Sequence, residues 1–269
     1  MATSTSAVAK MTFLLNSFKG LAKSEIAKEL TKITKDKNYK EFYSACFQAL
    51  QLKKQNILFL GAPGAGKGTY SRAVSEIMDI PVFGSGDYIK SHIRKDTPFG
   101  QLCEDYVNKG QLVPDNIVID PLLEAINQPQ YTTGLILDGF PRNLNQVDAI
   151  EKSKEITLAI NFRLPTEILI RKMLGRRICP KCGKGYNVAD IHSGDILLPP
   201  LLPKCIDRCD ICNEQLIQRS DDNEVVIKDR MKNIYTFLYF NILREFDVKL
   251  GMADLPEILK LILIENITN

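Results

Sequence analysis

The segment GAPGAGKGT, residues 61–69, has the residue types and the spacing of a phosphate-binding loop. Its glycines let backbone N–H groups turn toward an anion without a clash at Cβ, and the helix expected after it adds partial positive charge. Lys67 supplies a cation that reaches phosphate oxygens. The general loop pattern has Ser or Thr directly after the lysine, whereas here Gly68 follows and the hydroxyl comes one position later. The segment predicts a nucleotide-phosphate site made by Gly64, Ala65, Gly66, Lys67, Gly68 and Thr69.

Charged side chains suited to phosphate chemistry recur further along the chain. Asp138 ends the apolar run GLILD and is the candidate acidic partner of a magnesium ion, held through water; capping the next loop is a compatible alternative. Several arginines stand at expected element ends, and a guanidinium binds phosphate oxygens in a bidentate manner. Any one of them alone is more often a solvated surface charge, but together behind a phosphate loop they indicate phosphoryl transfer. These arginines are Arg142, Arg176, Arg177, Arg219 and Arg230.

Five of the seven cysteines fall between Cys179 and Cys212, which favours a metal site over a disulfide scaffold. Two C-x2-C pairs, Cys179 with Cys182 and Cys209 with Cys212, have the spacing of a structural tetrahedral zinc site. Cys205 is an alternative ligand, and a cluster of free thiols without metal is the alternative interpretation. A zinc ion would stabilise a segment that is too small to fold on its own apolar core.

The elements that must position these residues alternate between strands and helices. Short, continuous apolar runs predict buried parallel strands, and glycine and proline mark the helix boundaries. The alternation predicts an α/β fold, a doubly wound parallel sheet. Strands are predicted at 55–60, 134–139, 156–164 and 242–248, and helices at 66–78, 166–175, 222–240 and 253–264. Residues 86–126 are predicted to form three short helices broken near Pro98 and 110–114, and residues 179–219 a loop-rich segment.

Composition is that of an ordinary globular chain, since 45% of the 269 residues are hydrophobic and 25% are charged. No apolar run approaches the roughly 20 residues of a membrane span. Residues 1–54 carry ten lysines and four acidic residues, a net charge of +6, which leaves the remainder at −3. This mildly acidic body argues against nucleic-acid binding. Residues 1–24 contain no acid and many Ser, Thr, Ala and Lys, as in an organellar transit segment, although those are usually rich in Arg. A helical N-terminal extension without a targeting signal is an equal alternative.

Taken together, the motifs resemble those of the adenylate kinase family in its long-lid form. The resemblance is collinear over roughly residues 55–265 and rests on GAPGAGKGT, SGD, GQLVPD, LDGFPR with NQVDA, GRR, CPKCG with CDIC, and QRSDDNE. In that family the loop has glycine after the lysine. The insert between the cysteine pairs, which includes LLPPLLPK, is similar to the lids of some plant organellar members. The resemblance implies a P-loop NTPase-like core with an AMP-binding helical insert and a zinc-knuckle lid.

The resemblance also assigns roles by position. Residues 64–69 and Arg176 would bind the ATP that arrives with Mg²⁺. The charges for phosphoryl transfer would come from Lys67, Arg142, Arg176, Arg219, Arg230 and Asp138. Gln146, which offers both an acceptor and donors, would recognise the adenine of AMP. The whole AMP site would comprise Ser85, Lys90, Gln111, Leu112, Val113, Gly139, Phe140, Pro141, Arg142, Gln146, Arg219 and Arg230. The lid zinc would be held by Cys179, Cys182, Cys209 and Cys212.

The implied domain organisation has four parts. They are an N-terminal extension (1–54), a core (55–84, 134–176 and 220–269), the AMP-binding insert (85–133) and the lid (177–219). Lid closure would exclude water from the reaction. No side-chain general base is needed, because the attacking phosphate oxygen is already anionic.

Three features depart from the family pattern. Lys90 and Lys172 stand where members usually have arginine. Lys90 keeps a positive charge for the phosphate of AMP but loses the bidentate fork of arginine. Lys172 replaces an arginine that commonly stacks on the donor base, so either adenine or guanine remains possible there. The stretch after Arg230 is shorter than expected by about two helical turns. Alternatives are therefore a GTP:AMP phosphotransferase of the same fold and a non-catalytic nucleotide- or zinc-dependent interaction protein. We expect a monomer that acts on ATP, AMP and ADP, without nucleic-acid or membrane partners. Its expected location is a mitochondrion or plastid, with the cytoplasm as the alternative.

Overall fold

The computed structural model describes residues 2–35, 38–50, 55–219, 222 and 242–268, with side chains from residue 9 onward. Helices in these ranges are α1 (Ala2–Ser17), α2 (Lys23–Thr34), α3 (Tyr39–Ala49), α4 (Lys67–Met78), α5 (Ser85–Arg94), α6 (Pro98–Asn108), α7 (Asp115–Ile126), α8 (Leu144–Ser153), α9 (Thr166–Leu174) and α10 (Leu255–Thr268). Strands are β1 (Gln55–Gly61), β2 (Val82–Gly84), β3 (Gly134–Asp138), β4 (Leu158–Arg163), β5 (Arg176–Ile178), β6 (Gly185–Asn187), β7 (Ile191–Ser193), β8 (Ile196–Leu198) and β9 (Leu243–Asp247). No helix among the described residues is long and apolar enough to span a bilayer.

Five of these strands form one parallel sheet in the order β2-β3-β1-β4-β9. The predicted α/β fold with a parallel sheet is therefore confirmed, and so are its four predicted strands. The sequence analysis missed β2, because three residues after Pro81 are too few to give a periodic signal. Since β1 lies between β3 and β4, its carboxyl end is at the point where the strand order reverses, where open α/β sheets bind ligands.

Alternating side chains of β1 divide the core into two layers. Ile57 and Phe59 pack into one apolar cluster with α4 and α10, whereas Leu58 and Leu60 pack into a second cluster with the helices after β2. This period of two on a strand buried on both faces is what a doubly wound sheet requires. The sheet thus holds the carboxyl ends of β1 and β3 rigidly side by side.

Helices α5, α6 and α7 form the predicted insert between β2 and β3. The Thr97 hydroxyl accepts a hydrogen bond from the N–H of Gly100 and caps α6, which begins at Pro98. At the end of α6, Gly110 takes a positive φ of 69°. Both predicted breaks are therefore confirmed. Helix α9 follows Pro165 as predicted, whereas the predicted helix 222–240 lies, apart from Asp222, outside the described residues.

The N-terminal segment packs onto the core. Ile26 and Leu30 of α2 and Cys46 of α3 are fully buried, and they share one cluster with side chains of α4 and α10. Glu265 of α10 accepts hydrogen bonds from Lys23 and from Arg244 of β9. The extension is therefore helical, and the organellar address stays a prediction that this packing does not test.

The segment predicted to be loop-rich contains two small antiparallel sheets. Strands β5 and β6 pair next to the cysteines, while β7 and β8 form a hairpin. The hairpin packs on the core, because Ile191 and Leu198 are buried there and the N–H of Leu197 donates to the carbonyl of Lys249 at 2.7 Å. Short strands of three residues explain why composition alone suggested loops.

Candidate active site

The phosphate loop lies between β1 and α4. Gly64 and Gly66 have φ values of 87° and 99°, which glycine adopts without strain. The Lys67 Nζ donates to the carbonyl oxygens of Gly61 at 2.7 Å and Ala62 at 3.0 Å. Its ammonium is thereby held across the loop at the N-terminal end of α4, where the helix dipole also favours an anion.

Gly68 has a physical reason to replace the hydroxyl residue of the general pattern. A Cβ placed on Gly68 would lie 3.2 Å from the Oδ2 of Asp138 and 4.0 Å from the Nη2 of Arg72. That is a tight approach to a carboxylate at the end of the neighbouring strand. The missing side chain therefore lets the carboxylate come close to the first turn of α4, while Thr69 remains beside the same cleft.

Asp138 is the acidic centre of this region. Burial raises its pKa above the ordinary range, and the nearby cations Lys67 and Arg142 oppose that rise. A carboxylate surrounded by cations at the mouth of a phosphate loop, with the Thr69 hydroxyl in the same cleft, offers the hard oxygen donors that Mg²⁺ prefers. The residues present thus fit a magnesium ion.

A second loop, Gly139–Arg142, faces the phosphate loop. The Ser85 Oγ donates to the Gly139 carbonyl at 2.6 Å, and Arg142 Nε donates to the same oxygen at 2.6 Å. Gln146 is buried, accepts from the N–H of Arg142 at 2.7 Å and donates to Asp115 at 2.7 Å. Each group of the Gln146 amide has one further hydrogen bond to offer, so its expected contact with a base stays a prediction.

One cleft of about 830 Å³ joins the two loops. Predicted site residues that line it are Gly64, Gly66, Lys67, Gly68, Thr69, Lys90, Gln111, Leu112, Asp138, Gly139, Pro141, Arg142, Arg176 and Arg219. Ala65, Ser85, Val113, Phe140 and Gln146 are buried behind its wall. Arg230 lies outside the described residues. Arg142, Arg176 and Arg219 therefore converge with the phosphate loop on a single space. Arg177 is not among the residues that line this cleft, and its Nη1 donates to the carbonyls of Leu174 and Arg176.

Arg176 is oriented by an acidic partner. Its Nε donates to the Oδ2 of Asp222 at 2.8 Å, and its Nη2 contacts the other carboxylate oxygen. Asp222 is buried, so the pair fixes the guanidinium at the side of the cleft. Such preorganisation suits a cation that must meet charge developing on a phosphoryl group.

A further part of the cleft is lined by apolar residues and by Lys172, whose Nζ lies 3.9 Å from the position that a Cβ would take on Gly66. Burial lowers the pKa of Lys172, and the nearby carboxylate of Asp254 opposes that change. Tyr70 donates from its hydroxyl to the Gly251 carbonyl at 2.8 Å, which holds the loop before α10 against α4. The apolar lining residues there are Ala189, Leu198, Pro199, Pro200, Leu201 and Met252.

Several residues of the site were not found from the sequence. Asp115 orders the second loop, because it accepts from Asn143, Asn145 and Gln146. Although burial raises the pKa of Asp115, these hydrogen bonds lower it below its usual value. Arg72 lines the cleft one helical turn after Gly68, and that spacing on α4 was the signal that could have found it.

The four predicted cysteine ligands come together. The Sγ atoms of Cys179, Cys182, Cys209 and Cys212 all lie within 4.8 Å of one another. Ligands of a tetrahedral zinc ion with bonds of about 2.3 Å are separated by about 3.8 Å, and the pairs Cys179–Cys212 and Cys182–Cys209 are 3.3 and 3.4 Å apart. Cys205 is exposed and stands outside this group.

Both cysteine pairs form the same tight turn. The N–H of Gly183 donates to the Cys179 carbonyl at 3.0 Å, and the N–H of Asn213 donates to the Cys209 carbonyl at 2.9 Å. Burial would raise the pKa of Cys209, but hydrogen bonds from the backbone N–H groups of Cys212 and Ile211 bring it down to about 6. Four thiols held within 4.8 Å of one another can hold a soft divalent metal.

Comparison with known proteins agrees with this arrangement. The sequence model of the family described as Adenylate kinase matches residues 59–244. The chain is 39% identical over 180 residues to a Clostridium kluyveri protein named Adenylate kinase, covering 65% of this chain and 78% of the relative. A protein of the same name from Acetivibrio thermocellus is 36% identical over 184 residues, covering 66% of this chain and 80% of the relative.

Proposed function

Because the chain belongs to the adenylate kinase family, and is thus a nucleoside monophosphate kinase, we propose that it transfers the γ-phosphoryl group of Mg·ATP to AMP, giving two ADP. The observation that carries this proposal is the single cleft. Its lining includes residues of the phosphate loop, residues of the Gly139–Arg142 loop, and both Arg176 and Arg219. Donor and acceptor phosphates brought into this space would meet in line.

The residues of the cleft act by position and charge. The N–H groups at the start of α4 and the ammonium of Lys67 hold the donor phosphates, while Arg142 binds the phosphate of AMP. Arg176 and Arg219 stabilise charge on the moving group. Asp138 would hold Mg²⁺ through water, and the charge of that ion would offset negative charge on the phosphate oxygens.

The four cysteines of the lid would hold a structural zinc ion. Among the described residues, the buried apolar group beside the cysteines is small and consists of Tyr186 and Leu216, whereas the β7–β8 hairpin packs on the core. Zinc would therefore supply most of the folding free energy of the segment around the cysteines. A firmly folded lid excludes water and limits wasteful hydrolysis of the donor.

GTP as donor is a second candidate that Lys172 favours. Guanine presents two acceptors, O6 and N7, on one edge, and the Lys172 ammonium, which lines the cleft, is a donor only. A non-catalytic nucleotide-binding role is the remaining alternative. We propose that the protein acts as a monomer, and that its lysine-rich N-terminal segment directs it to an organelle.

The test is the donor and acceptor profile of the purified protein with Mg²⁺. ADP formation from ATP and AMP, abolished by Lys67→Ala, is the expected result. Faster phosphorylation of AMP with GTP than with ATP would show that GTP is the preferred donor. Absence of ADP formation with either donor would leave the binding-protein alternative. Light scattering would test the monomer, and N-terminal sequencing of protein from its native cells would test for a removed address.

A further inference from the structure

Arg72 is a cation of the cleft to which the proposed reaction assigns no role. It is exposed, lies on α4 and lines the cleft with Lys67, Asp138 and Arg142. Within the described part of the chain, its guanidinium makes no hydrogen bond or ion pair that meets ordinary distance limits. Its charge acts on the carboxylate of Asp138, but no hydrogen bond among the described residues holds its donors. Such a long cation beside a phosphate site is available to a ligand.

The placement of Arg72 brings its charge back to the start of α4. Helical side chains lean toward the N-terminus, so Arg72 covers the turn that contains Gly68. The Nη2 of Arg72 lies 4.0 Å from the position that a Cβ would take on Gly68. Oδ2 of Asp138 lies 3.2 Å from the same position. The guanidinium therefore stands over the first turn of the phosphate-binding helix, next to the metal-side carboxylate.

The lid also reaches this guanidinium. A Cβ placed on Gly185 of β6 would lie 3.8 Å from the Nη2 of Arg72, so the glycine backbone passes directly over the arginine. Arg72 is thus at a junction of three elements: α4, the end of β3 and the lid. A guanidinium at this junction can donate to an anion held between α4 and the lid.

A cation at this place is unfavourable unless an anion accompanies it. The N-terminus of a helix carries partial positive charge, and Lys67 adds a full charge in the same turn. Asp138 offsets part of this repulsion, but it must also serve the metal ion. A polyphosphate supplies the remaining negative charge.

We infer that Arg72 is an additional phosphate-binding residue, which binds the phosphate chain of a nucleoside triphosphate between α4 and the lid. This inference rests on the proposed function for its substrate class. The guanidinium fork of Arg72 would add to the charges of Lys67, Arg176 and Arg219. It would act on the side of the donor phosphates that faces Asp138 and the metal ion. Closure of the lid, which carries Gly185, would complete the enclosure of the Arg72 guanidinium.

The test compares Arg72→Gln and Arg72→Lys with Arg94→Gln, a matched loss of an exposed guanidinium outside the cleft lining. Calorimetric titration with a non-hydrolysable ATP analogue and Mg²⁺, and separately with AMP, measures binding without turnover. We expect Arg72→Gln to weaken analogue binding roughly tenfold or more, as loss of a charged hydrogen bond does. AMP binding and the melting temperature should stay unchanged, Arg72→Lys should be intermediate, and Arg94→Gln should match the wild type.

Two results would overturn the assignment. Analogue binding by Arg72→Gln within about twofold of wild type would show that the guanidinium does not contact the phosphates. Equal weakening of analogue and AMP together with a lower melting temperature would show a structural role only. If the wild type binds both ligands but forms no ADP, the proposed reaction fails while the binding comparison still tests Arg72. A wild type that binds no analogue would overturn both.

Discussion

At the scale of single residues, the glycine after Lys67 has a steric explanation. The general phosphate loop has a hydroxyl residue at this position, yet here the carboxylate of Asp138 occupies the space a side chain would need. This loop therefore lacks the hydroxyl ligand that Ser or Thr supplies at this position in other loops, and the absence of a side chain lets α4 approach the end of β3 closely. Loop chemistry and sheet geometry are coupled through one missing side chain.

Gly68→Ser, which restores the general pattern, is predicted to lower activity. Its Cβ would push against a carboxylate at 3.2 Å. Since a misplacement of about 1 Å can cost about 100-fold, we expect this smaller displacement to lower kcat several-fold to about tenfold. Stability should hold or rise, because Gly inside a helix costs about 0.5 kcal/mol relative to residues such as Ser. Steady-state kinetics and thermal unfolding measure the two effects. Gly194→Asn, in the open turn of the β7–β8 hairpin, is the control, and full activity in Gly68→Ser would refute the steric explanation.

The raised pKa of Asp138 predicts a shifted acid limit of activity. The pKa of the native carboxyl is higher than that of the same group in the unfolded chain. Its contribution to the free energy of unfolding is therefore fully present below the unfolded pKa and is lost as pH rises through the native pKa. If the ionised form is needed for Mg²⁺, kcat/KM of the free enzyme must fall at a pH above about 3.9, the ordinary value for Asp. The pH profile of kcat/KM measures this. An acid limit at or below the ordinary value would contradict the prediction.

At the scale of elements, each segment has its own source of stability. The central strands are held by burial on both faces, the insert by its capped helices, and the hairpin by its contacts with the core. The lid around β5 and β6 has only a few buried side chains besides its cysteines. The proposed zinc ion would therefore contribute more to its order than packing does.

Zinc removal is predicted to unfold the lid and leave the core folded. Purified protein should contain about one zinc per chain, and Cys182→Ser should lose it, because three thiolates cannot close a tetrahedral site built for four. The expected functional loss is in AMP phosphorylation, with a relative gain in ATP hydrolysis as water enters. Elemental analysis, hydrogen exchange and the two rates provide the measurement. Cys205→Ser is the matched control; loss of zinc in that variant instead would place Cys205 among the ligands.

At the scale of the whole molecule, Glu265 connects three parts of the chain. It is 6% exposed, and its carboxylate accepts from Lys23 of α2 and from Arg244 of β9. The N-terminal helices thereby join the last strand and the last helix around one buried charge. Cleavage of a targeting segment that extended beyond Leu15 would expose parts of this apolar cluster. The packing therefore indicates that α2 and α3 belong to the folded protein.

Glu265→Gln is predicted to destabilise the protein by about 1–2 kcal/mol near pH 7, because the half-exposed Lys23 and the partly buried Arg244 lose the counter-charge of a buried carboxylate. Burial raises the pKa of Glu265, but Arg244 and Lys23 outweigh it and hold the pKa below its usual value. The stabilisation is then present above the unfolded pKa and is lost as pH falls through the lower native value. Urea unfolding at several pH values measures it. Glu257→Gln, at a more exposed glutamate, should change little, and a Glu265→Gln effect that persisted in acid would refute the ionic explanation.

The sequence alone determined the β1–loop–α4 unit, the parallel α/β class, the cysteine spacing and the reaction class, because each depends on local spacing and burial. It missed β2, the docked hairpin and the packing of α2 and α3, which depend on contacts far apart in the chain. Only the tertiary structure decided which predicted residues line the cleft, and that Ser85 and Gln146 stand behind it. It also brought Arg72 and Gly185 together, since no local pattern encodes a distance between a helix and a lid.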